Sequence, residues 1–337
     1  MLEGGRRRDT AEPMFPTLAL LALPALAYEV DSYTQREQPL ADATAVANAH
    51  VDEILARAIG RTNRLTGCAA DDATTRRIMA KSVERQTDPN HILWRRGGIL
   101  RGWGFSSFSY WLETDPDVPI RQLPRHHNLY ARMRLSENWA LWLVDSCGVI
   151  RMGQVDVGTD KFDHFWDIGW VMYDRSDDGQ DRLAALLHSL RTEGHFRGFR
   201  TSGAVSYADL RANYDGYSFY AGLLREGSMI QRGADGCLVQ TRPWDWALVV
   251  DRDWDEFLNP SRYTEGAQRG IDRWMTDHDE QVCALDLAGR AVPPARVAPS
   301  EYLVLDALVA HDGRLPPGYD GRSDAFRRTE RCPEVGE

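Results

Sequence analysis

Two short stretches hold side chains whose types and spacing could do chemistry. Asp160-Lys161-Phe162-Asp163-His164 places a lysine, an imidazole and carboxylates together, and Asp209 and Asn213 follow four residues apart. A histidine can take or give a proton near neutral pH, and a carboxylate from a neighbouring helix can orient it. A hydrolytic site on this pattern would use His164 as general base and Asp209 to orient or bind, with Lys161, Asn213, Asp160 and Glu193 completing a polar pocket. A metal variant would draw on His164, Asp160, Asp209 and Glu193, an imidazole plus hard oxygen donors. The chain has no His-x-x-x-His spacing and no G-x-S-x-G elbow, so metal and cofactor both stay open.

These residues need helices to position them. At about 100° per residue, Asp163, His164, Asp167 and Asp174 fall in one arc around Asp160, opposite Phe162, Phe165, Trp166, Gly169, Met172 and Tyr173. The segment 160–174 therefore reads as an amphipathic helix. Thr159 is its N-cap, and the acidic arc, Asp163 included, is a solvated face. On the segment 206–225 the same construction sets Asp209 and Asn213 beside Gly216, Tyr220 and Leu223, with Arg211 and Asp215 on the opposite face, where Asp215 reads as a surface residue. Asp209 then lies on the apolar face, where a carboxylate needs a cation or donors close by. A capping box from Ser206 to Asp209 would also account for Asp209, but not for Asn213. Lys161 is the cation at hand. Only it and Lys81 are lysine among 40 basic residues, so it is either chosen for what guanidinium cannot do or a residual lysine in an arginine-rich chain. The pattern predicts that the helix starting at Asp160 packs its first turn on the 206–225 helix, with Lys161 or His164 in reach of Asp209.

Asp160-Lys161-Phe162-Asp163-His164-Phe165, followed by Ser206-x-x-Asp209-Leu210-x-Ala212-Asn213-x-x-Gly216, resembles the D-K-x-x-H-F and S-x-x-D-L-x-A-N-x-x-G pair of VanZ-like and YfiM-type envelope proteins. The lead-in Gly158-Thr-Asp-Lys161 is similar to that of a group of exported bacterial proteins. Glu193 stands where these families carry an acidic residue. The resemblance implies a shared pocket of His164, Lys161, Asp209, Asn213, Asp160 and Glu193 and a place in the cell envelope. It implies no particular reaction. Asp163 departs from the small residue usual at its position, and the flanking helices are more polar than those of membrane-embedded VanZ.

The 337 residues carry 50 acidic and 40 basic side chains, a net charge of −10, and show no basic run beyond the N-terminus. Nucleic acid is therefore an unsuitable partner. Arg6-Arg-Arg8 and the apolar run from Met14 to Ala27 read as a signal peptide over 1–27, which leaves a periplasmic or secreted chain with no transmembrane span after its removal. In such a compartment Cys68, Cys147, Cys237, Cys283 and Cys332 would form two disulfides, with Cys147 a better disulfide partner than nucleophile.

Helices are expected over 39–65, 72–86, 160–174, 178–192, 206–225 and 265–278. A β-hairpin is expected near 139–157, its strands Trp139–Val144 and Val149–Val157. The fold class is mainly α: a helical bundle-like body over 28–292 with that small hairpin, then a loose extension over 293–337. Tryptophans around 94–111 and 244–254 would fill a core or present a lipid- or carbohydrate-facing surface. Two functions stay open. One is an envelope hydrolase acting on a lipid or cell-wall component through the His/Lys/Asp/Asn pocket. The other is a non-catalytic envelope scaffold or binding protein in which the same residues lock two helices. An open cleft favours the first and a closed one the second.

Overall fold

Alanine and branched apolar residues recurring every three or four positions build the first helix, α1 (Thr44–Thr66), which buries Ala47, Val51, Ile54, Leu55, Ala58, Ile59 and Thr62. It stops at Gly67, whose left-handed backbone (φ 56°) ends helices readily. α2 (Asp72–Thr87) packs on it through Thr75, Met79, Ala80 and Val83. The computed structural model describes residues 29–87, 106–143, 146–193, 198, 202–259 and 261–290. The leader reading, the 293–337 extension, Trp94, Trp103 and Cys332 lie outside these.

The fold is mainly α with small antiparallel sheets. After α3 (Ser107–Thr114) come β1 (Ile120–Arg121), a helical turn α4 (Trp139–Leu143), β2 (Val149–Met152) and β3 (Val155–Gly158), with the sheet ordered β1-β2-β3. The hairpin is narrower than the sequence suggested. β2 and β3 pair with Ile150 opposite Val157 and Met152 opposite Val155, around Gly153 at φ 61°. Trp139–Leu143 is helical rather than extended because Asn138 Oδ1 accepts the Leu141 N–H at 2.9 Å and starts a turn. A short apolar run does not by itself distinguish the two states.

Beyond β3 the chain enters α5 (Asp160–Asp163), a π-helical turn (His164–Ile168) and α6 (Gly169–Arg175), so the expected single helix is interrupted at its centre. α7 (Arg182–Arg191), β4 (Ala204–Val205), α8 (Tyr207–Gly222), the hairpin β5 (Ile230–Arg232) and β6 (Leu238–Gln240), β7 (Arg262–Tyr263), α9 (Glu265–Asp277) and α10 (Asp279–Arg290) complete it. α10 was not anticipated. β4 pairs with β7. Cys68 is disulfide-bonded to Cys237, tying the α1–α2 turn to the β5–β6 hairpin, and Cys283 is also disulfide-bonded.

The main core packs Phe108, Phe162, Phe165 and Trp166 against Trp244, Trp246 and Trp254, rings meeting at 4.9–6.0 Å, for instance Phe162 with Trp246 and Phe165 with Trp254. These three late tryptophans are buried, so they form core rather than a ligand-facing surface. A second cluster gathers Tyr33, Leu129, Tyr130, Phe257, Ile271 and Trp274. Among the described residues no helix is long and apolar enough to cross a membrane.

Candidate functional site

β3 delivers the site. A Cβ on Gly158 would meet Asp160 Oδ1 at 2.4 Å and Val30 Cβ at 2.8 Å, so only glycine lets the strand turn here. Thr159 does not cap α5 with its side chain; its hydroxyl donates to Glu113 Oε1 at 2.5 Å. The turn swings Lys161 inward, where its side chain is fully enclosed. Its Nζ lies 2.6 Å from Asp160 Oδ2, 2.5 Å from Asp209 Oδ1 and 2.5 Å from Glu256 Oε1. Burial works against the ammonium, yet the three carboxylates raise it well above the usual lysine range.

α8 presents Asp209 and Asn213. Ser206 caps it, accepting the Asp209 N–H at 3.1 Å and donating its hydroxyl to Glu256 Oε1 at 2.8 Å. The cap forms as the sequence suggested, but the Asp209 carboxylate turns to the cations. Backbone contact between α8 and the π turn permits this: a Cβ on Gly216 would stand 2.0 Å from Phe165 O, and one on Gly169 would stand 2.6 Å from Gly216 Cα.

The π turn begins at His164. Its Nε2 lies 3.1 Å from Asp209 Oδ2, and its Nδ1 lies 2.9 Å from Asn213 Oδ1 and 3.4 Å from Glu193 Oε1. Asn213 Nδ2 donates to Ser189 Oγ at 3.0 Å and Glu193 Oε1 at 3.5 Å. Because a carboxylate accepts only, the amide oxygen is left for the imidazole. Acceptors at both ring nitrogens call for two N–H donors, the imidazolium form. Burial opposes that charge, but Asp209 and Glu193 outweigh it and push the group up to about 10. Asp209 is raised by burial and lowered more by His164 and Lys161, ending below the usual carboxylate range.

Glu193 is also π-helical, in a stretch that starts at Thr192 beyond the end of α7. Two such rare turns thus feed one cluster. His164 keeps 13% of its side chain exposed, while Glu193 and Asp209 keep 1% and 5%. All six residues singled out in the sequence come together: Lys161 with Asp160 and Asp209, and His164 with Asp209, Asn213 and Glu193.

Two partners escaped the sequence reading. Glu256 lies in an irregular acidic stretch with no periodicity to place it, and burial raises it to about 7 even though Lys161 pulls it down. Glu29 is raised well above its usual range by burial, then by Glu256 and Asp209, with Lys161 and the Ser202 hydroxyl pulling it partly back.

Three expectations are corrected. Asp163 is not solvated: it accepts the Ser106 N–H and the Ser109 hydroxyl, both at 2.5 Å, at the start of α3, and burial raises it well above the usual range. The helical wheel could not anticipate that α3 would cover this side, whereas Asp174 is exposed as expected. Asp215, opposite Asp209 on α8, accepts from Arg211 Nε and Trp254 Nε1, each at 2.9 Å, and burial pushes it up to about 6. Cys147 is an unbonded, buried thiol pushed up by burial, neither disulfide partner nor nucleophile.

His164, Glu193 and Asp209 offer one nitrogen and two oxygen donors within 4.8 Å of one another, a set suited to a divalent ion once the ring gives up a proton. Asp160, Asp209 and Glu256 also bring oxygens within 4.8 Å of one another, but Lys161 Nζ is in ion-pair contact with all three, so this group is filled by an ammonium and is not a metal set. Comparison of the chain with protein-family models, with curated proteins and with solved structures finds no match.

Proposed function

We propose that this is an exported cell-envelope protein of non-catalytic, scaffold or binding type, in which the lysine-centred cluster locks the β3–α5 corner, α8 and the segment carrying Glu256. The enclosure of Lys161 carries this reading. Its ammonium is saturated by three carboxylates from three separate stretches and reaches no solvent. A group built to meet substrate would line an opening. A buried ionic array of this kind adds little net stability over an apolar core, but it penalises every mispaired arrangement and so selects one packing. Export to a periplasmic or extracellular site is supported by the leader-like sequence and by the disulfides at Cys68–Cys237 and Cys283. The resemblance of the motif pair to that of VanZ-like and YfiM-type proteins supports the envelope, where the partner would be a lipid or cell-wall component.

A second reading, an acid–base hydrolase, is favoured by one observation: His164, the cluster member with the most exposed side chain, and its neighbour Glu193 both stand on π-helical turns, which recur at functional sites. Held as an imidazolium, His164 would act as proton donor rather than resting general base. The two readings separate when purified protein and its H164Q variant are incubated with envelope phospholipid vesicles and with isolated cell-wall sacculi. The lock reading expects no hydrolysis above buffer, together with a loss of about 3–5 kcal/mol on Lys161→Met, the range for broken buried pairs. Hydrolysis by the wild type that vanishes in a still-folded H164Q variant would establish the enzyme instead.

A further inference from the structure

Charge in the cluster does not balance. Lys161 and His164 supply two cations, whereas Asp160, Asp209, Glu256, Glu193 and Glu29 supply five carboxyl groups, all buried. Three of the five meet at a single ammonium, with donor oxygens of Asp160, Asp209 and Glu256 within 4.8 Å of one another. Like-charged carboxylates packed this closely in a dry interior do not all ionise together.

Glu29 is already raised well above its usual range by burial and by Glu256; of the three carboxyls at the ammonium, Glu256 is the one placed to keep a proton. Asp209 faces both cations, and Asp160 is adjacent in sequence to Lys161 on α5. Glu256 shares Lys161 with those two anions, and it and Glu29 repel each other. Among the described residues, the Tyr130 and Tyr263 phenols also feel Glu256; they are neutral acids raised further by burial and bring no positive charge. The Arg36 guanidinium is taken up by the neighbouring Asp255. His164 reaches Glu256 only through Asp209. The Ser206 hydroxyl donates to Glu256 Oε1 but carries no charge.

We infer that the lock is proton-operated: a proton held on Glu256 completes it, so that the seating of the 252–259 segment against α8 and the Glu29 segment tightens in acid and loosens in alkali. This rests on the lock reading above and adds its regulation. Glu256 binds its proton more tightly in the folded chain, about 7 against an ordinary 4.5, so folding takes up a proton between those values. Its contribution is complete below the lower value and is lost as pH rises through the upper one.

Urea unfolding of the full chain at about pH 5 and about pH 8 tests this, with wild type and Glu256→Gln compared at each. The wild-type folding constant should fall by about one to two powers of ten more than that of the variant, whose amide carries no titrating proton. Parallel falls in the two proteins would overturn the inference. Should Glu256→Gln fail to fold, the glutamate carboxyl carbons of the wild type are followed by NMR through the same range. One resonance other than that of Glu29 should titrate near neutrality, and a spectrum with none overturns the inference. A destabilised Lys161→Met variant alongside parallel pH responses would remove the proton and leave the lock; an undisturbed Lys161→Met variant removes the lock itself.

Discussion

Asp209 touches both cations, Oδ1 on Lys161 and Oδ2 on His164, and so joins the closed half of the cluster to the half with residual exposure. Asp209→Ala should cost about 3–5 kcal/mol, since it deprives the imidazolium of its Nε2 acceptor and Lys161 of one of the three carboxyl groups at its ammonium. Asp174→Ala, exposed on the same arc as Asp160, should stay within about 0.5 kcal/mol. Asp215→Ala falls between them, at about 1–3 kcal/mol, because it leaves the buried Trp254 indole N–H without its acceptor. Denaturant midpoints of the three variants give the order, and equal small effects would show Asp209 to be only part of a helix cap. Residue type and spacing made Asp209, Asn213, Lys161 and His164 legible as a group. Asp163 and Asp215 were misplaced because a helical wheel gives direction but not what lies there.

α8 and the π turn approach until backbone meets backbone, and Gly216 is the point of contact. A methyl group there would stand 2.0 Å from Phe165 O and 2.7 Å from Phe165 C, atoms that cannot rotate away. Gly216→Ala should therefore destabilise by about 1–3 kcal/mol or more, the cost of overpacking. Gly222→Ala, on the same helix with open space around its Cβ position, should be neutral or slightly stabilising through helix propensity. Thermal unfolding of the pair checks this, and similar shifts would mean that the close approach does not position Asp209 and Asn213. The small residues of α8 were visible in the sequence. The π turn was not, because it preserves the amphipathic pattern while shifting the register of α6 beyond it.

Across the whole molecule, the Cys68–Cys237 disulfide spans 169 residues and ties the first two helices to the β5–β6 hairpin. Closing so long a loop restricts the unfolded chain, and Cys237→Ser should cost about 2–4 kcal/mol. Unfolding with and without reductant measures it, and the variant should resemble the reduced wild type at that bond. An unchanged midpoint would show that this link adds nothing to packing already made by Asn63, whose side chain bonds the Leu238 backbone on both N–H and C=O.

The sequence alone placed helices over 39–65, 72–86 and 206–225, found at Thr44–Thr66, Asp72–Thr87 and Tyr207–Gly222, because an apolar stripe every three or four residues has one economical way to be buried. It also set Asp209 and Asn213 on the inward face and put Lys161 or His164 in reach of Asp209; both cations reach it. Only the tertiary structure decided that Glu256 and Glu29 join the cluster, that Lys161 meets three carboxylates rather than one, and that His164 alone of the two cations keeps partial exposure. The physical reason is range. Periodicity reports which face of an element is buried, whereas an excess of buried charge arises from segments far apart in the chain that meet only when the core closes.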